Sequence, residues 1–425
     1  MLNGSVDIAP DKSITHRAIM FSSLARGTSH IVNPLLGEDN ISTCQAFEAM
    51  GVEITREERK LIINSPGFEQ LQEASDVLDF GNSGTTTRLM LGILSGLPLF
   101  SIITGDRYLR QRPMLRVIEP LRRMGARIDA RSGGKLLPAA VRGGALNGID
   151  HRSQVASAQV KSAILLAGLF ANGTTTVQEP ELSRDHTERM LPFYGVKVQR
   201  EDRWTSVQGG AQLHPVDMTV PGDISSAAFF LVAACVTPGS AVTICNVGVN
   251  PTRTGIIDVL QQMGAKLELR NQRTVCGEPV ADIEVCHSSL SAVDIYGSTI
   301  PRLIDEIPAL AVAMAFAEGK STVKDGSELR VKETDRIATT LANLKALGVE
   351  YSEYEDGFAI TGDPERKLPA GAVLDSYGDH RIGMSAWLFR LLQPTIEVEG
   401  MECVAVSFPG FQQKLQSLQS NGALS

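Results

Sequence analysis

A bulky residue followed by glycine and a strand-like run recurs five times in this chain. The copies are Met50-Gly51-Val52-Glu53-Ile54, Met124-Gly125-Ala126-Arg127-Ile128, Tyr194-Gly195-Val196-Lys197-Val198, Met263-Gly264-Ala265-Lys266-Leu267 and Leu347-Gly348-Val349-Glu350-Tyr351. They lie about 70–85 residues apart. Solenoid repeats are shorter, ~20–50 residues, so the spacing points to a compact supersecondary unit. Each unit opens with a polar turn leading into an apolar helix. The starts are Pro10-Asp11-Lys12-Ser13, Gly81-Asn82-Ser83-Gly84-Thr85, 153–159, Gly222-Asp223-Ile224-Ser225-Ser226, 304–308 and Gly378-Asp379-His380-Arg381. Short strands follow Gly27, Gly173, Gly239 and Gly319, and then a second helix. The glycine after that helix sits at its C′ position, where φ > 0 costs glycine little. The unit reads βαβαββ, and the sixth copy lacks the closing glycine signal.

Six units in 425 residues predict an α/β (α+β) chain of two domains with three units each. The boundary falls near Val220-Pro221-Gly222, giving domains 11–220 and 221–425. Equivalent units aim the N-termini of their first helices the same way within a domain. Two facing domains would present six such ends to one cleft. Each carries partial positive charge and N–H donors, which suits anions. Six ordinary capped helices explain the same pattern equally well.

The residues at these starts sharpen the choice. Lys12, Ser13 and Arg17 open the first unit, and Ser13 and Arg17 are one helical turn apart. Cations at a helix N-terminus oppose the dipole, so a bound anion would give them a reason. Asn82, Gly84 and Arg88 fall in a glycine-containing turn, followed by Arg107, Arg110 and Arg112. Arginine forks grip carboxylate or phosphate, although surface arginines look the same in sequence. Ser157, Ala158, Gln159 and Lys161 open the third unit, and Ser183 and Arg184 precede its second helix. Asp305 and Glu306 precede a very apolar helix, where acids are also ordinary caps. Lys332 and Arg336 are i,i+4 with Glu333 between them, and Arg381 opens the last unit. Placement at equivalent ends of repeated units favours a shared site over scattered surface charge.

Composition excludes other classes. The formal net charge of -8 argues against a protein that coats nucleic acid or an anionic membrane. It says nothing about small anions, whose binding depends on local field. Six cysteines without CxxC spacing and seven histidines without HExxH suggest neither a disulfide framework nor a metal centre. The apolar stretches 227–236 and 308–317 fall short of the ~18 residues that span a bilayer. No signal-peptide pattern opens the chain, so a cytoplasmic protein is the expectation.

Together these segments resemble the enolpyruvyl transferase family, from Asp11 to about Phe411. The resemblance rests on DKSITHRA at 11–18, GNSGTTTR at 81–88, RQRP at 110–113, SAQVKSA at 157–163, RVKETDR at 330–336 and GDHR at 378–381. The branch acting on shikimate 3-phosphate is the best match. The resemblance implies two domains of three βαβαββ units, with an active site in the interdomain cleft. It also implies that residues 1–10 return to the C-terminal domain, making a second crossing near Pro10.

The implied reaction joins the enolpyruvyl group of phosphoenolpyruvate to the 5-hydroxyl of shikimate 3-phosphate and releases phosphate. It is a step towards chorismate and aromatic amino acids. No metal, no cofactor and no macromolecular partner are implied, and a monomer is expected. By resemblance, Lys12, Ser13, Arg17, Ser157, Ala158, Gln159, Arg184, Asp305 and Lys332 bind shikimate 3-phosphate. Lys12, Asn82, Gly84, Arg112, Gln159, Arg336 and Arg381 bind phosphoenolpyruvate, with Lys332 beside them. Asp305, Glu333, Lys12 and Lys332 are the catalytic candidates: Asp305 as base on the hydroxyl, Glu333 as proton donor to C3.

Ser157-Ala158 replaces the serine pair of many relatives, and Ser407 precedes Phe408-Pro409 where many carry a nearby lysine. Gly84 stands where some glyphosate-tolerant relatives carry alanine, which implies an effect of glyphosate competitive with phosphoenolpyruvate. The cell-wall branch acting on UDP-N-acetylglucosamine typically uses a loop cysteine in the first domain. No cysteine lies between Cys44 and Cys235 here. A non-catalytic anion-binding protein would not need Asp305, Lys332 and Glu333 together.

Overall fold

The computed structural model describes residues 1–421. It divides into two compact units. One comprises Pro10–Val220 with the short excursion Val275–Glu278; the other comprises Met1–Ala9, Pro221–Thr274 and the chain from Pro279 onward. The expected end of the second domain, at 425, lies outside the described residues.

The first helices of the units are Lys12–Leu24, Gly84–Gly96, Ala158–Gly168, Ile224–Val236, Ile307–Ala315 and His380–Leu392. All six begin at the turns read from the sequence. Several are apolar around most of their circumference, as in ISSAAFFLVAACV, and are buried accordingly. Most of the second helices are amphipathic. In Leu115–Met124, residues Val117, Ile118, Pro120, Leu121 and Met124 form the single buried stripe. The five repeat glycines, Gly51, Gly125, Gly195, Gly264 and Gly348, all have positive φ, between 67° and 110°. A side chain there would be strained, so the repeat is a backbone requirement written into the sequence.

Five units carry a four-stranded sheet of one topology. In the sheet Leu78–Asp79, Phe100–Thr104, Leu136–Arg142, Arg127–Ala130, the first pair is parallel and the next two antiparallel. A crossover helix joins the parallel pair and a hairpin closes the sheet. Two sheets borrow their first strand from far along the chain. Met218–Thr219 pairs with Ile31 and Val32 in the first sheet of the Pro10–Val220 unit. Asn3–Asp7 pairs with residues 241–245 in the first sheet of the other unit.

The sixth unit departs from the expected βαβαββ order. Its parallel pair, Val373–Asp375 with Glu397–Glu399, is present. The chain then forms a 3-10 segment, Met401–Val406, and a helix, Phe411–Asn421, instead of a closing hairpin. The helix sequence FQQKLQSLQSN holds straight-chain residues and no β-branched ones, which favours helix over strand. Phe408 and Phe411 pack on Phe230 at centroid distances of 5.7 and 5.8 Å and anchor it.

Candidate active site

In the Pro10–Val220 unit the helix starts bring cations and hydrogen-bonding groups together. Asp11 caps the first helix by accepting from the Ile14 N–H at 2.8 Å. Lys12 Nζ, one residue on, pairs with Asp39 Oδ2 at 3.0 Å. Arg17 is 3 % exposed and donates to Thr187 Oγ1 (2.7 Å), Ser162 Oγ (2.8 Å) and the Ser13 carbonyl (3.0 Å). All three acceptors are neutral. Burial lowers the Arg17 guanidinium to about 10, with Glu188 opposing, so it stays charged at neutral pH. A buried cation hydrogen-bonded to neutral oxygens is a site that an anion would stabilise.

The second and third helix starts are joined by Gln159. Its Oε1 accepts from Arg88 Nη1 at 2.5 Å and its Nε2 donates to Thr85 Oγ1 at 2.9 Å. Arg112 Nη1 reaches the Asn82 carbonyl at 3.4 Å. A Cβ on Gly84 would lie 2.9 Å from Arg112 Nη1 and 3.0 Å from Arg88 Nη1, so glycine lets both guanidinium groups rest on this turn. Arg107 instead stacks on Tyr108, and Arg110 Nε returns to the Asp106 carbonyl. Ser157 stands at the N-cap of Ala158–Gly168 without a side-chain cap bond.

Ser183 precedes the second helix of its unit but does not cap it. The helix begins at His186, and the Ser183 hydroxyl donates to Glu179. Lys161 Nζ binds Glu179 at 2.6 Å and Glu188 at 2.7 Å, with side chains only 1–3 % exposed. This buried triad fixes the loop that carries the half-buried Arg184.

The other unit concentrates carboxylates on one arginine. Arg336, 1 % exposed, donates from Nε to Asp379 Oδ2 (2.7 Å), from Nη1 to Asp305 Oδ1 (2.9 Å) and from Nη2 to Glu333 Oε2 (2.6 Å). Burial alone would lower its pKa; Asp379, Glu333 and Asp305 outweigh that and raise it. Burial would raise Asp379, and Arg336 pulls it below its ordinary 3.8. Lys332 Nζ lies 3.4 Å from Asp305 Oδ1. Lys332 and Arg336 do not share a helical face as their spacing suggests: Lys332 is extended and the helix begins at Arg336. They meet at Asp305 nonetheless. Arg381 Nη1 donates to the Asp305 carbonyl at 3.2 Å. Neither Asp305 nor Glu306 caps the helix Ile307–Ala315, which shows no side-chain cap bond.

Thus Lys12, Ser13, Arg17, Asn82, Gly84, Arg112, Ser157, Ala158, Gln159 and Arg184 belong to the Pro10–Val220 unit. Asp305, Lys332, Glu333, Arg336 and Arg381 belong to the other. Nothing in the sequence assigns a role to Asp39, Lys161, Glu179 or Glu188, and Glu306 reads there as a cap. Lys161 had a usable signal, a charge amid the helix run AQVKSAILLAG.

The family described as EPSP synthase (3-phosphoshikimate 1-carboxyvinyltransferase) matches residues 1–415. The chain belongs to this family. A relative named 3-phosphoshikimate 1-carboxyvinyltransferase from Citrifermentans bemidjiense is 52 % identical over 418 residues, covering 98 % of this chain and 97 % of its own. One of the same name from Bacillus subtilis is 50 % identical with the same coverage. The solved EPSP synthase structure from Acinetobacter baumannii superposes with a TM-score of 0.87 at 43 % identity, covering 98 % of this chain and 96 % of that one. The mixed α/β architecture is therefore that of EPSP synthase family members. Among the described residues no helix is long and apolar enough to cross a membrane.

Proposed function

We infer that this chain transfers the enolpyruvyl group of phosphoenolpyruvate to the 5-hydroxyl of shikimate 3-phosphate, releasing phosphate. Family membership over residues 1–415 carries the reading, and the chemistry of the residues supports it. The 5-hydroxyl of shikimate 3-phosphate adds to C2 of phosphoenolpyruvate while C3 takes a proton. The tetrahedral adduct then loses a proton and phosphate. Two multiply charged anions must be held and protons must move in both directions.

The cation-bearing unit suits the first task. Arg17, Ser13, Ser157, Ala158, Gln159 and Arg184 bind shikimate 3-phosphate. Lys12, Asn82, Gly84, Gln159 and Arg112 hold phosphoenolpyruvate, with Lys12 serving both substrates and taking part in proton movement. The carboxylate-bearing unit suits the second task. Asp305, flanked by Arg336 and Lys332, accepts the hydroxyl proton and contacts shikimate 3-phosphate together with Lys332. Glu333 delivers a proton to C3. Lys332 and Arg381 balance the developing charge. Among the described residues four of the five Arg336 N–H donors go to Asp379, Asp305 and Glu333, and the second hydrogen on Nη1 is the one left to grip phosphoenolpyruvate.

A monomeric cytoplasmic enzyme completes the reading. Its six cysteines are all unpaired, which suits a reducing compartment. Phosphate release by purified protein with both substrates tests the activity; folded protein without turnover would refute it. Size-exclusion chromatography tests the monomer.

A further inference from the structure

Glu306 neighbours Asp305, yet its side chain turns inward and is 0 % exposed. Its Oε1 accepts from the Ser225 hydroxyl, and Arg381 Nη1 lies 4.0 Å away. Its Oε2 has no hydrogen-bond partner among the described residues. Ser225 is itself held: its Oγ accepts from Arg253 Nη2 at 2.7 Å, and the same nitrogen donates to Asp223 Oδ1 at 2.9 Å. Asp223 caps the helix Ile224–Val236. A continuous buried chain therefore runs Asp223, Arg253, Ser225, Glu306, Arg381, wholly within one unit.

A buried carboxylate with one oxygen unpartnered costs stability, and such groups call for an explanation. The start of the helix Ile307–Ala315 offsets part of the cost, because its dipole favours a negative charge. Capping does not account for Glu306, since it makes no side-chain cap bond. Its charge partner is Arg381. At 4.0 Å the pair is a charge contact rather than a hydrogen bond, so it aims the guanidinium without consuming a short donor contact.

We propose that Glu306 is a positioning residue for phosphoenolpyruvate binding: its carboxylate, fixed by Ser225 and Arg253, sets the Arg381 guanidinium for the anionic ligand. The proposal rests on the role given to Arg381 above. Steady-state kinetics of Glu306→Gln test it, because glutamine keeps the shape and the Ser225 contact but loses the charge. We expect the KM for phosphoenolpyruvate to rise roughly tenfold, with kcat and the KM for shikimate 3-phosphate within about twofold. Glu306→Asp, which keeps the charge, should recover part of the loss. In an Arg381→Met background, Glu306→Gln should add nothing. Equal losses in both KM values, or a full effect in that background, would overturn the proposal and leave Glu306 a structural residue. If the glutamine variant does not fold, Ser225→Ala replaces it, with a smaller rise in the same KM expected; an unchanged value would overturn the proposal. An inactive wild type would sink the proposed activity instead, whereas an active wild type with an unchanged Glu306→Gln sinks only the positioning role.

Discussion

The two units partner their buried candidate-site arginines differently. In the Pro10–Val220 unit, Arg17 and Arg88 donate to hydroxyls, carbonyls and an amide. In the other unit, Arg336 is enclosed by three carboxylates. Neutral partners orient a cation without cancelling its charge, which leaves its field for a ligand. Carboxylate partners cancel charge locally and hold proton-transfer groups in fixed positions. The first pattern suits a binding surface, the second an acid–base centre.

The largest test of this division removes the acid–base groups. Asp305→Asn and Glu333→Gln should each lower kcat by ~10²–10⁴-fold while substrate binding persists, measured by turnover and by titration calorimetry. Lost binding with normal turnover of the bound fraction would erase the distinction. Next, Arg336→Met should leave three carboxylates facing one another without their cation and destabilise the fold by about 3–5 kcal/mol in urea unfolding. A loss below about 1 kcal/mol would mean that the cluster relaxes easily.

Acid should separate the two units. Burial holds His16 at about 3, against 6.5 for an ordinary histidine. Below 6.5 the unfolded chain gains a proton that the native chain refuses, so stability falls as pH drops towards 3. The slope from this group is about 1.4 kcal/mol per pH unit. His151 is shifted down as well, first by its burial and then by Arg123, so the measurement compares wild type with His16→Asn. The variant should lose most of the slope between neutral pH and about 5. Asp379 acts lower: its stabilisation is complete above the ordinary 3.8 and vanishes as pH falls through its depressed native value. Asp379→Asn should therefore lower stability at every pH above that range and remove the fall within it, so that the two curves converge in acid. The smallest effect belongs to Gly84→Ala. The new methyl would displace Arg112 and Arg88, raising the KM for phosphoenolpyruvate several-fold, on the order of 1 kcal/mol or less, with a parallel loss of glyphosate inhibition.

Local features were legible in the sequence, because turn chemistry and glycine conformation are local. The six helix starts and the five positive-φ glycines are where the repeat put them. What stayed hidden depends on contacts between distant residues. Lys161 meets Glu179, 18 positions away, and Arg17 meets Thr187, 170 positions away. Glu306 looked like a cap because acids before apolar helices usually are; only the fold shows its side chain reaching Ser225, 81 positions back. The missing hairpin of the sixth unit was signalled by the absent glycine, but not the helix that replaces it.

The borrowed strands set an order of assembly. During synthesis, the sheet containing Gly27–Val32 waits for Met218–Thr219, so the unit made first cannot complete its first sheet until nearly 220 residues exist. Asn3–Asp7, made before everything else, has no strand to join until 241–245 emerge. One unit thus waits for a strand encoded at its own end, the other for a partner made after the whole first unit, and a ribosome pausing before residue 218 would leave a bare strand edge exposed to aggregation.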